Sequence, residues 1–108
     1  MKLVSFIKYL TNPDLLIELF QKQRLNMESE ALIIYMQKEL SLESDLSIFE
    51  IEETDDDIIF IKHGIQYVQF YPIDYAIQLL ESDLELKGQS YSDLEIAQTL
   101  LDYRQKDA

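Results

Sequence analysis

The sequence predicts an α+β domain, a three-stranded antiparallel meander flanked by three N-terminal and two C-terminal helices. Three observations lead there. Apolar residues recur every three or four positions toward both ends of the chain, the period of one helix face. In the middle they give way to short runs of branched and aromatic residues between polar turns. Only two glycines and two prolines interrupt 108 residues, so regular elements should fill most of the chain. With 47% hydrophobic residues, residues 1-108 suit a single domain, because two would each be too small to bury an adequate core.

The first helix spans Lys2 to Leu10, with Leu3, Phe6, Ile7 and Leu10 on one face. Thr11-Asn12-Pro13 ends it and starts the next, since Asn12 is a good N-cap and Pro13 has no amide hydrogen to leave unpaired in a first turn. This second helix runs to about Arg24, with Leu15, Leu16, Leu19 and Phe20 inward. Lys22 and Arg24 complement its dipole. A third helix is expected from Glu28 to Leu40. Its stretch Ala31-Leu32-Ile33-Ile34-Tyr35-Met36 is apolar nearly all round, which indicates burial on several sides. Ser41 to Asp45 reads as a connection.

Three strands follow, at Ile48-Phe49-Glu50-Ile51-Glu52, Ile58-Ile59-Phe60-Ile61 and Ile65 to Tyr71. Thr54-Asp55-Asp56-Asp57, His63-Gly64 and Pro72 bound them. A two-residue turn at His63-Gly64 pairs Lys62 with Ile65, Phe60 with Tyr67 and Ile59 with Val68. A turn centred on Asp55-Asp56 would pair Glu53 with Ile58 and Ile51 with Phe60, placing the second strand in the centre. One sheet face then holds Phe49, Ile51, Ile58, Phe60, Ile65, Tyr67 and Tyr71, and is taken as the core face. The other holds Ile48, Glu50, Glu52, Ile59, Ile61, Gln66, Val68 and Phe70, to be covered by helices or by a partner.

After Pro72 the helical period returns with Ile73, Ile77, Leu80 and Leu84, ending before Gly88. Ser92-Asp93-Leu94-Glu95 matches a capping box. The last helix turns Leu94, Ala97, Leu100 and Leu101 inward, with Arg104 and Lys106 near its end.

Charge sets the functional bounds. Twenty-one acidic side chains against nine basic ones give a net charge of −12, which repels phosphate backbones and anionic lipid and attracts basic surfaces. Direct nucleic-acid binding and membrane association are therefore not expected. The absence of cysteine excludes disulfides, thiolate metal sites and thiol nucleophiles. The N-terminal apolar run is too short and too broken for a signal peptide or a membrane span, and a reducing cytoplasm is the expected compartment.

No motif names a catalytic chemistry, and no enzyme activity, metal or cofactor is expected. His63 is the only histidine and sits in a turn without a serine or cysteine motif around it. Asp55-Asp56-Asp57 lacks the ligand spacing, central glycine and terminal glutamate of a calcium loop, and adjacent aspartates in a tight turn cannot all converge on one ion.

What remains is a charge feature. From Glu39 to Ile61 the chain holds nine carboxylates and no lysine or arginine. Such a run either meets a basic protein surface, speeding encounter and fixing register, or guards a solvated edge strand. The expected function is that of a protein-binding inhibitor of the immunity type, neutralising a basic partner enzyme such as a nuclease toxin. Glu50, Glu52, Glu53, Asp55, Asp56 and Asp57 would supply steering and charged hydrogen bonds, with Tyr67, Phe70 and Tyr71 as aromatic anchors. The alternative is an adaptor or structural subunit of a larger assembly, using an apolar sheet or helix face such as Ile59, Ile61 and Val68. Self-association is left open.

Overall fold

The structure, a computed structural model, describes residues 1–83, 86 and 90–106. Its elements are α1 (Leu3–Thr11), α2 (Pro13–Lys22), β1 (Leu32–Gln37), β2 (Leu46–Glu50), a one-turn α3 (Ile51–Thr54), β3 (Ile59–Lys62), β4 (Ile65–Pro72), α4 (Ile73–Gln78) running into a π-helical turn (Leu79–Asp83), and α5 (Asp93–Lys106). The mixed helix-and-sheet class is as predicted, but the sheet has four antiparallel strands in the order β2-β1-β4-β3. No described helix is long and apolar enough to cross a membrane.

The local signals at the helix ends act as read. Asn12 Oδ1 accepts from the backbone N–H of Asp14 at 3.1 Å and of Leu15 at 3.5 Å. The capping box closes reciprocally: Ser92 Oγ accepts from the Glu95 N–H at 3.1 Å, and Glu95 Oε1 from the Ser92 N–H at 3.1 Å. Leu3, Phe6, Ile7 and Leu10 of α1 are all buried, as are Leu16, Leu19 and Phe20 of α2. On α5 the inward set is Ile96, Ala97, Leu100 and Leu101, whereas Leu94 in the first turn is 55% exposed. Leu84 and Gly88, the expected end of the preceding helical stripe, lie outside the described residues.

The expected third helix is instead β1, the central strand. Ile33, Ile34, Tyr35 and Met36 are all fully buried. An apolar run of this length fits a two-sided strand and a buried helix equally by periodicity, and its branched Ile33-Ile34 pair suits the pleat. β1 pairs with β2 on one side and with β4 on the other. The expected pairing of the first and second meander strands therefore does not form, and Ile58 to Ile61 lies at an edge rather than in the centre. The second hairpin does form in the expected register, with Lys62 opposite Ile65, Phe60 opposite Tyr67 and Ile59 opposite Val68. His63 and Gly64 both take positive φ, 52° and 79°, as a type I′ turn requires.

The face expected to be covered by helices or by a partner is the one the helices cover, and the aromatic face taken as the core face forms a second, smaller core without them. The helices pack on the face of Ile34, Met36, Ile48 and Phe70, which join α1, α2, α4 and α5 in the main core. A bulge in β4 opposite Ile34 and Tyr35 turns Tyr71 to this side as well, where its hydroxyl donates to the Leu100 carbonyl at 3.1 Å. The other face carries a second core of Ile33, Tyr35 and Tyr67, with Ala31, Phe49, Ile51 and Phe60 against it. Phe49 and Phe60 stand on opposite edge strands, which a flat sheet would hold ~14 Å apart at three strand spacings. Their ring centroids are 5.2 Å apart, so the sheet curls and the rings lean inward over Tyr35 and Tyr67.

The centre and edge of this sheet should respond differently to truncation. Ile34→Ala is expected to cost about 2–5 kcal/mol by opening a cavity, and Ile59→Ala less than about 1 kcal/mol. Urea unfolding of the two variants checks the strand order.

Candidate functional site

The strand order dictates where the acidic run goes. β2 and β3 occupy opposite edges, so residues 51 to 58 must cross the aromatic face over β1 and β4. They do so at the end of the sheet where β1 begins and β4 finishes. The crossing starts as α3, which extends the sheet by one bond from the Ile51 N–H to the Ala31 carbonyl at 2.9 Å. It stops at Asp55, whose left-handed φ of 53° ends the turn, and Asp56 follows at 58°. Aspartate tolerates this region better than branched residues do, because its short side chain can bond locally.

The crossover is pinned from below. Tyr35 donates its hydroxyl to the Asp57 carbonyl at 2.6 Å. Gln69 Nε2 donates to Asp56 Oδ1 at 2.9 Å and lies 3.3 Å from the Tyr35 oxygen. Thr54 is the one polar side chain buried among the described residues, and its Oγ1 accepts from the Asp56 N–H at 3.3 Å. Gln69 N–H donates to the Ile58 carbonyl at 2.8 Å, leading the chain into β3.

The six carboxylates divide by role. Glu50 Oε2 accepts from the Asn26 N–H at 3.0 Å, and Glu52 accepts from the Ser29 hydroxyl and, at 3.1 Å, from the Glu30 N–H. Both therefore hold the 26–30 turn that feeds β1. The hydrogen bond from Ser29, then that from Glu30 and one from its own backbone, hold the Glu52 carboxyl below the ordinary value of 4.5. Glu53 is ion-paired to Lys62, whose ammonium sits 5.4 Å from the Phe49 ring centre. Asp55, Asp56 and Asp57 are exposed, and among the described residues no cation pairs with them. The earlier part of the run does not join them in the same way, since Asp45 is paired to Lys2 at 3.8 Å.

The three candidate anchors are not on the surface. Tyr67 is 8%, Phe70 1% and Tyr71 4% exposed, and all three are committed to packing. The exposed apolar side chains near the acidic turn are instead Ile58, Ile59 and Ile61, at 55%, 46% and 66%. Ile59 and Ile61 share the helix-side face of the sheet but lie beyond the reach of the helices. Val68, opposite Ile59, is half-buried. Beside the start of β3 a cleft of about 480 Å³ opens between Ile58, Gln69, Pro72, Tyr75 and Arg104. Arg104 is held there by the bulge, donating from Nε to the Phe70 carbonyl at 3.0 Å and from a terminal nitrogen to the Gln69 carbonyl at 3.2 Å.

Sequence reasoning missed Tyr35, Gln69 and Arg104. Tyr35 was hidden inside a run read as helix, and the other two bond to backbone that only the bulge and crossover bring near. His63 is exposed in its turn and, among the described residues, has no hydrogen-bond partner. Among the described residues no three acidic or histidine side chains are placed to hold a metal ion. No protein-family model, curated protein or solved structure matches the chain.

Two outcomes test this anatomy. Tyr35→Phe removes the hydroxyl under the crossover and is expected to cost ~1 kcal/mol in urea unfolding while leaving the main core intact. Glu52 has a folded value below its unfolded one, so its contribution is present above about 4.5 and is lost as pH falls through the lower folded value. The stability gap between wild type and Glu52→Gln should therefore narrow on acidification from pH 6 to pH 3, read from urea midpoints.

Proposed function

We propose that this chain is a protein-binding inhibitor of the immunity type, which neutralises a basic partner enzyme such as a nuclease toxin. The observation that carries the reading is the display of Asp55, Asp56 and Asp57 on a crossover pinned by Tyr35 and Gln69, exposed and, among the described residues, without a pairing cation. A pinned loop presents its charges at lower entropic cost than a free one, which favours tight association over steering alone. The net charge of −12 extends the same sign over the molecule. A nuclease must offer positive charge to hold phosphates, so a compact acidic domain can occupy or shadow that site.

The contact set in this reading is narrower than the acidic run. Asp55, Asp56 and Asp57 face the partner, Glu53 is shared with Lys62, and Glu50 and Glu52 act through the 26–30 turn. A second reading, an adaptor or structural subunit, is supported by the exposure of Ile59 and Ile61 on an edge strand.

The test uses the chain as bait for proteins of the cell that makes it. Wild type should retain, at low salt, a protein rich in lysine and arginine whose nuclease activity falls when more chain is added. Asp55→Asn, Asp56→Asn and Asp57→Asn together keep the acceptor that Gln69 uses but remove three charges. That variant should associate at least tenfold more slowly and with a flatter salt dependence. Equal salt dependence of the two proteins would overturn the reading.

A further inference from the structure

β3 ends the sheet with a bonding edge that nothing among the described residues closes. In a two-residue hairpin the residues flanking the turn form a hydrogen-bonded pair, and bonded and non-bonded pairs then alternate. Lys62 opposite Ile65 and Phe60 opposite Tyr67 are thus the bonded pairs, and the Gln69 N–H on the Ile58 carbonyl continues the series. Ile59 and Ile61 fall between them. Their N–H and C=O groups point away from β4, toward the open edge, while their side chains form an apolar shelf beyond the helices.

Folded proteins commonly blunt such an edge with proline, with a free lysine, or with a covering loop. β3 contains no proline. Its one lysine, Lys62, is engaged with Glu53 across the aromatic face. The crossover covers the face of the sheet rather than this edge. What flanks the edge is the acidic turn at Asp55, Asp56 and Asp57, immediately before the strand, and the cleft walled by Ile58 and Tyr75.

We propose that β3 receives an extended, lysine- or arginine-bearing segment of the partner protein as a fifth strand, bonded to the backbone of Ile59 and Ile61. Apolar side chains of that segment lie on the isoleucine shelf, and its cations meet Asp55 to Asp57. Charge complementarity selects this occupant over a second copy, because a second copy carries the same net charge of −12. The inference rests on the reading of the chain as a binder of basic proteins and adds the mode of binding.

The probe is a capped eight-residue peptide alternating arginine and valine. It is set beside an acidic copy with glutamate for arginine and a copy N-methylated along its backbone. On saturation with the arginine peptide, amide hydrogen exchange at Ile59 and Ile61 should slow at least tenfold. The N-methylated and acidic copies should each bind at least tenfold more weakly. Ile59→Pro removes one outward N–H at the first position of an edge strand, where proline is tolerated, and should weaken binding by at least tenfold with the fold retained by thermal unfolding.

Unchanged exchange at Ile59 and Ile61, equal binding of the N-methylated copy, or no binding at millimolar peptide would each overturn the proposal. If the arginine peptide loses affinity with Asp55, Asp56 and Asp57 all changed to Asn, yet binds Ile59→Pro as wild type, strand addition fails and the acidic-surface reading survives. A wild-type dimer in sedimentation that Ile59→Pro dissociates would give the edge to a second copy and overturn the assignment of its occupant.

Discussion

The whole arrangement follows from a strand that is apolar on both sides. β1 presents Ile34 and Met36 to one face and Ile33 and Tyr35 to the other, and all four are fully buried. No single layer can satisfy such a strand, because burying one face leaves the other in water. Four helices close the first face. The second is closed by the curl of the sheet, which draws Phe49 and Phe60 together, and by the chain passing from β2 to β3 across it. Each remaining feature, including the place of the acidic turn, is a consequence of covering β1 twice.

That covering also explains why a run of like charges does not form a uniform patch. A connection that crosses a sheet must satisfy its backbone polar groups on the way. Here Tyr35 and Gln69 meet the carbonyls and the Asp56 carboxylate from below, while Glu50 and Glu52 meet the amides of the 26–30 turn. Carboxylates near the start of the crossing become structural acceptors. Those at the apex remain exposed, Asp56 with one oxygen on Gln69, and among the described residues no cation pairs with them.

The edge strand and the acidic turn are two parts of one surface rather than competing explanations. Charge acts at long range and sets how quickly a partner arrives, whereas an unpaired strand edge acts at contact and sets register. In the proposed mode of binding, residues 55 to 61 would serve both tasks. The aromatic residues that composition favoured as anchors serve the interior instead, since Tyr67, Phe70 and Tyr71 belong to the central half of the sheet.

The sequence by itself determined whatever depends on neighbours along the chain. The Asn12 cap, the Ser92–Glu95 box, the apolar face of α1 and the His63-Gly64 hairpin register were all legible, because each is decided within a few residues by backbone geometry. So was the net charge of −12. Only the tertiary structure decided that residues 32 to 37 are a strand and not a helix. A run apolar on every side carries no period to read, and the choice falls to what packs around it. Once β1 took the centre of the sheet, β3 was displaced to the edge and the acidic segment became a crossover. The division of its carboxylates into bonded and exposed then followed from contacts between elements, Glu50 and Glu52 reaching partners more than 20 residues away and Glu53 the Lys62 of β3.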